Sequence, residues 1–566
     1  MPPHPRHKSS LVIIGLLLPA ALLWCVPSAP AQSQPPINII FDMHADPLPQ
    51  SAYPDKLNYY TMQLDNGNWV LDQTAPLGVE ISFLACGEFM EFVVQQGSAG
   101  SGAAFLQRIY ASGEQIASHS HSEYRNGAFD WPSFPPGATY LQSKQSWQDN
   151  IDWVNSAITT ALGFPPPKPL EEINAVKGAH LPKTEAEYHD MMRDFGLEVR
   201  QGGAEEDFYG IYDHYIMNPF RPSVDNYMSE DLSGAFVAVP QGAVIGKDGI
   251  HHNVFQDMTA PNVKRIFIQT YLNWRYGDRH GLPEKVWAFG WGSHNHDYQP
   301  GSQTRSDMVE MINWLDQNFV GKADATGSVM ANWGTQAGTA GEYFAWETAH
   351  PGVSSFDSNG THLDWDDYQY LQAVCEELWN THHVADLDPG SGIKAWHLAR
   401  GPLDVVVAFC DSGTVPLDLS TIVATPCRVV GAETGVLLGI DPSNVLVGVE
   451  PVIVTAAAPT MSLQGTPAIG QTIRFTIRGE PDAQGLIFAS TSPAFINSPH
   501  LGWIQISPDS SLKTLGKGIM QNGSFTQPVT IPFNPSLVGK KFYIQGLENR
   551  DNGMTLTIDS LEVTIQ

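Results

Sequence analysis

Between Ser118 and Tyr124 two histidines and a carboxylate alternate with serine, so that His119, His121 and Glu123 stand two residues apart. Imidazole and carboxylate are the side chains that carry protons near neutral pH and hold divalent metals. In an extended chain these three point to one side. If the chain turns helical after His119, then His119 and Glu123 become neighbours four apart instead. Either arrangement brings two metal-type ligands onto one face, and the stretch reads as a candidate metal site. The structural alternative is a polar loop whose histidines cap nearby backbone. Three other stretches share this character: Asp42-Met43-His44-Ala45-Asp46, the Lys177 to Pro182 segment with His180, and His294-Asn295-His296-Asp297. On a strand, residues 42, 44 and 46 share one face.

Each cluster follows a strand-like run. Ile37 to Phe41 leads into Asp42, Gln115 to Ser118 into His119, Ile173 to Lys177 into His180, and Val286 to Trp291 into His294. Val79 to Leu84 is a further apolar strand ending at Cys86-Gly87-Glu88. Helical patterns fall between them, over roughly 58–76, 103–112, 184–195 and 307–319. The third opens with Thr184 and Glu187 in capping positions, and the last carries Met308, Met311, Ile312 and Leu315 on one stripe. Strands alternating with helices, with polar clusters at strand exits, predict a parallel sheet or barrel. Residues 203–285 read as long loops or an insertion.

At 566 residues the chain is too long for one core. Residues 1–31 read as a signal peptide, with Arg6, His7 and Lys8 before an apolar run from Leu11 to Val26 and a small-residue cleavage site at Ala29-Pro30-Ala31. The expected protein is therefore secreted, periplasmic or held at the cell surface, with no integral membrane span after cleavage. The formal charge of −29 makes nucleic acid a poor partner. Cys86, Cys375, Cys410 and Cys427 lack zinc-site spacing, and read equally as buried thiols or bridges. Residues 32–350 form the first domain on this reading. Residues 351–457 are a connecting region with a small β module, and 458–566, short alternating runs between Gly, Pro and Asn turns, a β-sandwich accessory domain.

Taken in order, the clusters at 42–46, 119–123, 177–182 and 294–297 resemble those of the polysaccharide deacetylase superfamily, the family 4 carbohydrate esterases. Gly78-Val79-Glu80-Ile81-Ser82-Phe83-Leu84 resembles its second-strand motif, Gly113 through Glu123 its histidine motif, and Trp291 to Asp297 its final strand. The likeness covers about 37–345. It implies a distorted (β/α) barrel of the glycoside hydrolase/deacetylase type, and hydrolysis of acetyl amide or ester groups on an extracellular polysaccharide with a divalent metal, zinc, as cofactor. On that pattern Asp46, His119 and either His121 or Glu123 are metal ligands. Asp42 or His44 is the base, and His294 or His296 protonates the leaving nitrogen. The chain departs from the pattern in three places. Its first-strand aspartates are not adjacent. Glu123 stands where the second metal histidine usually does, with His121 two residues earlier. The arginine that orients the base is missing, and Lys177, His180 or Lys183 occupies that region.

Two other classes fit the same residues. A glycoside hydrolase on a related barrel would need two carboxylates about 5–10 Å apart flanking the sugar. A non-catalytic glycan-binding or surface protein would keep the barrel as a platform and the sandwich as an adhesive module. Trp291, Trp333 and Trp346 serve as sugar-stacking surfaces in the functional readings and as core in the structural one.

Overall fold

The first strand, β1 (Ile37–Ala45), is buried along its whole length. Its two faces nevertheless differ. Ile37, Ile39, Phe41, Met43 and Ala45 enter the main hydrophobic core, while Asn38, Ile40, Asp42 and His44 point the other way. A strand buried on both faces needs cover on both, and β1 lies inside a seven-stranded sheet. The computed structural model describes residues 34–48, 55–120, 123–164, 173–175, 184–201, 217–225, 230–239, 243–244, 259–276 and 285–353 of the first part of the chain. Beyond these it describes 374, 377–378, 381–390, 392–400, 403–423, 427–432, 435–439, 441–456, 459–479, 483–498, 502–521, 524–550, 553–557 and 560–566. The signal-peptide segment, His121, Lys177, His180, Lys183 and Cys375 lie outside the described residues.

The strands after β1 are β2 (Ile81–Ala85), β3 (Gln115–Ser120), β4 (Ile173–Ala175), β5 (Val199–Gln201), β6 (Val237–Val239), β7 (Ala243–Val244), β8 (Trp287–His294) and β9 (Ala331–Gly334). Their order in the sheet is β4-β3-β2-β1-β8-β7, every pair parallel. β8 runs along one edge of β1 from Ile37 to His44. The other edge is shared: β9 pairs with residues 37–40 and β2 takes over from Phe41 to Ala45. β5 and β6 form a separate parallel pair. The chain is thus mixed α/β around a parallel sheet. The sequence predicts a (β/α) barrel over 32–350, whereas the pairings among the described residues form an open sheet that forks at β1.

Helices α1 (Lys56–Thr74), α2 (Gly87–Gln96), α3 (Ser101–Ala111), α4 (Tyr140–Leu162), α5 (Glu185–Phe195), α6 (Ala260–Tyr276) and α7 (Gln303–Asn318) follow in order. Leu64, Met90, Leu106, Val154, Met191, Phe267 and Met311 bring them into the main core with the apolar face of β1. Helix α8 (Gln336–Ala349) covers the opposite face. Its Ala340, Tyr343 and Trp346 pack with Ile40, Ala288, Val199, Val237 and Val239. Two of these helices are hard to see in the sequence. α4 is started by a capping box of Thr139 and Gln142. α6 falls in the segment read as loops; it is buried nearly all round, its polar Arg265, Gln269 and Asn273 included.

Of the antiparallel strands between His382 and Ala456, six form one sheet, and Val415–Leu417 and Val445–Val447 pair separately. One face, with Trp396, Val407 and Phe409, belongs to the main core and packs against Tyr271 of α6. The other, with Ala395, Val406, Ala408 and Val454, has a core of its own. The β module of the connecting region is therefore larger than the sequence suggests, and it is seated on the first part of the chain. From Thr460 onward two antiparallel sheets close over a third core of Ile473, Phe475, Ile477, Ile487, Ile544 and Val563. Cys86, Cys410 and Cys427 are buried free thiols. Among the described residues no helix is long and apolar enough to cross a membrane.

Glu114, at the turn from α3 into β3, is buried. Burial pushes its carboxyl up from 4.5 to about 8, with Arg108 opposing the shift and Glu80 adding to it. The folded chain therefore holds a proton here that the unfolded chain releases near 4.5. The stability from that proton is full below about 4.5 and is lost as pH rises through about 8. Glu114→Gln should accordingly melt higher than wild type at pH 9 and nearly alongside it at pH 5; paired thermal scans at the two pH values check this.

Candidate active site

Parallel register places the polar face of the sheet in rows. Asp42 stands beside Ser82 and Gly292, with Gln115 one strand beyond Ser82. Two residues further along, His44 stands beside Leu84 and His294, with Ala117 beyond Leu84. His119 and Asp46 continue the same face by one more step. The alternation seen in the sequence is therefore the device that aims these side chains at one point, above the exits of β1, β3 and β8.

At that point Asp46 is the hub. Its Oδ1 lies 3.1 Å from His119 Nε2 and its Oδ2 lies 3.4 Å from His294 Nε2. The His44 ring lies tilted against His119, 4.4 Å between centroids, and edge-on to His294 at 5.4 Å. His294 Nδ1 faces Asp297 Oδ2 at 3.2 Å. The His296 ring stacks on His294 at 5.0 Å, and its Nδ1 meets the Tyr59 hydroxyl at 3.1 Å. Ligand atoms of His44, Asp46 and His119 all lie within 4.8 Å of one another, and so do those of Asp46, His294 and His296.

This donor set suits a divalent cation. Two ligands each about 2.0–2.2 Å from zinc stand at most about 4.4 Å apart, so the side chains are already close to that spacing. Charge makes the same point. With a proton on His294 Nδ1 for Asp297, the Nε2 lone pair faces a carboxylate oxygen of Asp46. A buried carboxylate with imidazoles on both sides needs positive charge between them, and a shared cation supplies it.

The sequence reading pairs Asp46 and His119 as ligands, and the structure brings them together. It also brings in His44, read from sequence as a base, and His294, read as an acid. Glu123 belongs to neither ligand group. It is buried within electrostatic reach of Cys86, where its charge, after burial and Glu88, helps push the thiol well up. Asp42 is wholly buried in the row beneath His44. Gln336 Nε2 donates to its Oδ2 at 2.7 Å, and the Gln336 backbone N–H donates to Ser82 Oγ at 3.1 Å. Burial pushes the Asp42 carboxyl well above the usual range, against the hydrogen bonds from Gln336 and Ser82. Trp291 is fully buried and stacks on Phe41, and Trp346 stacks on Tyr343. Both pack as core.

The residues that sequence reasoning missed lie on α1. Gln63 Nε2 donates to the Asp46 carbonyl at 3.1 Å, and Asn66 Nδ2 donates to the Asn295 carbonyl at 2.8 Å. With Tyr59, they sit four and three residues apart, which puts them on one helical face. Buried polar side chains at helical spacing were the available signal. From the first turn of α2, Glu88 accepts from the Leu48 N–H at 3.0 Å and from Lys56 Nζ at 2.8 Å, fixing the chain beyond Asp46.

No family model matches the chain, and no curated protein matches it. Among solved structures it is similar to one provisionally described as a polysaccharide deacetylase from Mycobacterium smegmatis, at 13% identity, 59% of this chain, 98% of that one and a TM-score of 0.33. A 4-alpha-glucanotransferase from Thermococcus litoralis matches at 9% identity, with 94% and 99% covered and a TM-score of 0.32. A GH30 endoxylanase from Clostridium papyrosolvens matches at 8%, with 76% and 98% covered and a TM-score of 0.27. At TM-scores this low these likenesses carry no inference about the chain.

If α1 holds Asp46 through Gln63, then Gln63→Leu should destabilise the fold by about 1–3 kcal/mol, since a buried carbonyl loses a donor. It should also weaken divalent-cation binding by about 10- to 100-fold, the usual range for a supporting residue. Urea unfolding and a chelator competition read the two effects separately.

Proposed function

We propose that the chain is a metal-dependent hydrolase that removes acetyl groups from an extracellular polysaccharide. The convergence of His44 and His119 on the Asp46 carboxylate carries this reading, because it gathers a ligand set suited to a cation at the exit of a parallel sheet. The motif resemblance supplies the substrate class and the barrel-type scaffold, and the leader-like run at 11–26 supports export. A cation held there supplies an activated water and a polarised carbonyl at neutral pH.

The chain's own residues divide the remaining work. His44, Asp46 and His119 would hold the cation. Asp297 fixes the His294 ring through Nδ1, and Tyr59 fixes His296 through Nδ1, so both imidazoles present Nε2 to the site. The His296 side chain, 17% exposed, marks the open side by which substrate enters. Asp42 lies too deep to touch substrate. Its part is to support β1 beneath His44, held there by the amide of Gln336.

Acetate release from acetylated xylan and from chitin oligosaccharides, measured after chelation and after readdition of zinc, cobalt or nickel, tests the proposal. Metal-restored acetate release is expected, and His119→Ala should lower it by on the order of 100-fold or more together with bound metal. Wild type that neither binds metal nor releases acetate would sink the reading; new reducing ends without acetate would point to glycosidic cleavage instead.

A further inference from the structure

We infer that the site holds two divalent cations bridged by the Asp46 carboxylate, an inference that rests on the metal reading above. The two oxygens of Asp46 address different partners: Oδ1 faces His119 and Oδ2 faces His294. Behind them stand two ligand groups, His44 with His119 and His294 with His296, which have only Asp46 in common. One ion about 2 Å from every ligand would draw all five side chains into a single group. Two ions about 3.5–4 Å apart, each on one carboxylate oxygen, use every ligand as it lies.

The second group is built as ligands usually are, with the far nitrogen of each imidazole already held. His294 gives Nδ1 to Asp297 Oδ2 at 3.2 Å and turns Nε2 to Asp46. His296 meets Tyr59 through Nδ1 at 3.1 Å and keeps Nε2 toward the site, with Asp297 Oδ1 3.8 Å away. Asp297 thus adds a second negative charge beside the outer position. In this arrangement His294 and His296 serve as ligands.

The two positions differ in depth. His119 is 0% exposed, while the His296 side chain is 17% exposed. The inner ion is therefore enclosed, and the outer one lies where substrate and chelators arrive. The outer ion exchanges first.

Elemental analysis of zinc-loaded, desalted protein tests the pair, with electron paramagnetic resonance of the manganese(II)-loaded protein as the readout of proximity. Two zinc equivalents in wild type, one in His296→Ala, and an exchange-coupled manganese spectrum in wild type alone are expected. One equivalent in wild type under the same loading, with an uncoupled spectrum, overturns the pair and leaves the hydrolase reading standing. No bound zinc at all fails both. Should His296→Ala not fold, Tyr59→Phe removes only the hydroxyl behind His296 Nδ1. It should weaken the second equivalent about 10-fold and leave the first unchanged; a second equivalent bound as tightly as in wild type counts against the pair.

Discussion

A carboxylate placed between imidazoles and shut away from water is the constraint on which the rest of the site depends. Asp46 is 7% exposed and both its oxygens face histidine nitrogens. Such a group is stable only if positive charge lies between it and its neighbours, whether protons on the rings or a cation among them. The surroundings are fitted to hold it in place. Its carbonyl is tied to Gln63 of α1, and the loop after it is tied by Glu88 to Lys56 at the head of the same helix. Parallel pairing then does the aiming. Because β8 keeps register with β1 up to His44 and His294, a carboxylate just past one strand meets an imidazole at the end of the next.

The polar face beneath this site explains why α8 leaves the outer helical layer. Asn38, Asp42, Ser82 and Gln115 would be costly to bury against an apolar helix. The first turns of α8 answer them one by one. Gln336 reaches Asp42 and Ser82, the Ala337 N–H reaches Gln115 at 2.9 Å, and Glu342 takes the Asn38 amide at 2.6 Å. Another side of α8 is apolar, where Ala340, Tyr343 and Trp346 meet Ile40 and the β5–β6 valines. The fork in the sheet, where β9 gives way to β2 along β1, lies beside this contact.

Much of this was legible in the sequence, and the exceptions have physical causes. Strand-like runs from Ile37 to Phe41 and from Gln115 to Ser118 mark the strands, and extended geometry beyond the first puts 42, 44 and 46 on one face. That reading depends only on local geometry. Role assignment was less legible, because His44 as ligand or base differs by where His119 and His294 arrive, and that is set by register between distant strands. α6 lies in a segment whose Tyr, Asn, Pro and Gly content reads as loop, although its polar Arg265, Gln269 and Asn273 fall at helical spacing. The six-stranded sheet from His382 was underestimated because its two faces serve different cores, so its strands read as continuous apolar runs. The buried polar residues of α1 were legible in principle, since Tyr59, Gln63 and Asn66 break an otherwise inward-facing stripe.

The two ends of the sheet are held by different means, and the division suits a site that binds and releases ligands. At the start of β1 the bonds are numerous and permanent. The Ile37 N–H donates to Met330, Trp274 Nε1 donates to the Pro35 carbonyl at 2.7 Å, and Tyr276 donates to Val449. There Arg275 joins Asp324 and Asp411, each at 3.1 Å, and so ties α6 both to the loop before β9 and to the six-stranded sheet. Breaking a pair as buried as Arg275 and Asp324 would leave a charge without compensation, so this end is fixed. At the exit end, cohesion runs instead through histidines and carboxylates whose mutual attraction depends on what positive charge they share. Stability concentrated at the entry of the strands allows the exit to carry groups that would be poor structural elements on their own. The seating of the six-stranded sheet on α6 is then part of the same design: it braces the entry end of the parallel sheet, and leaves the exit end, with its histidines and carboxylates, to be organised by α1.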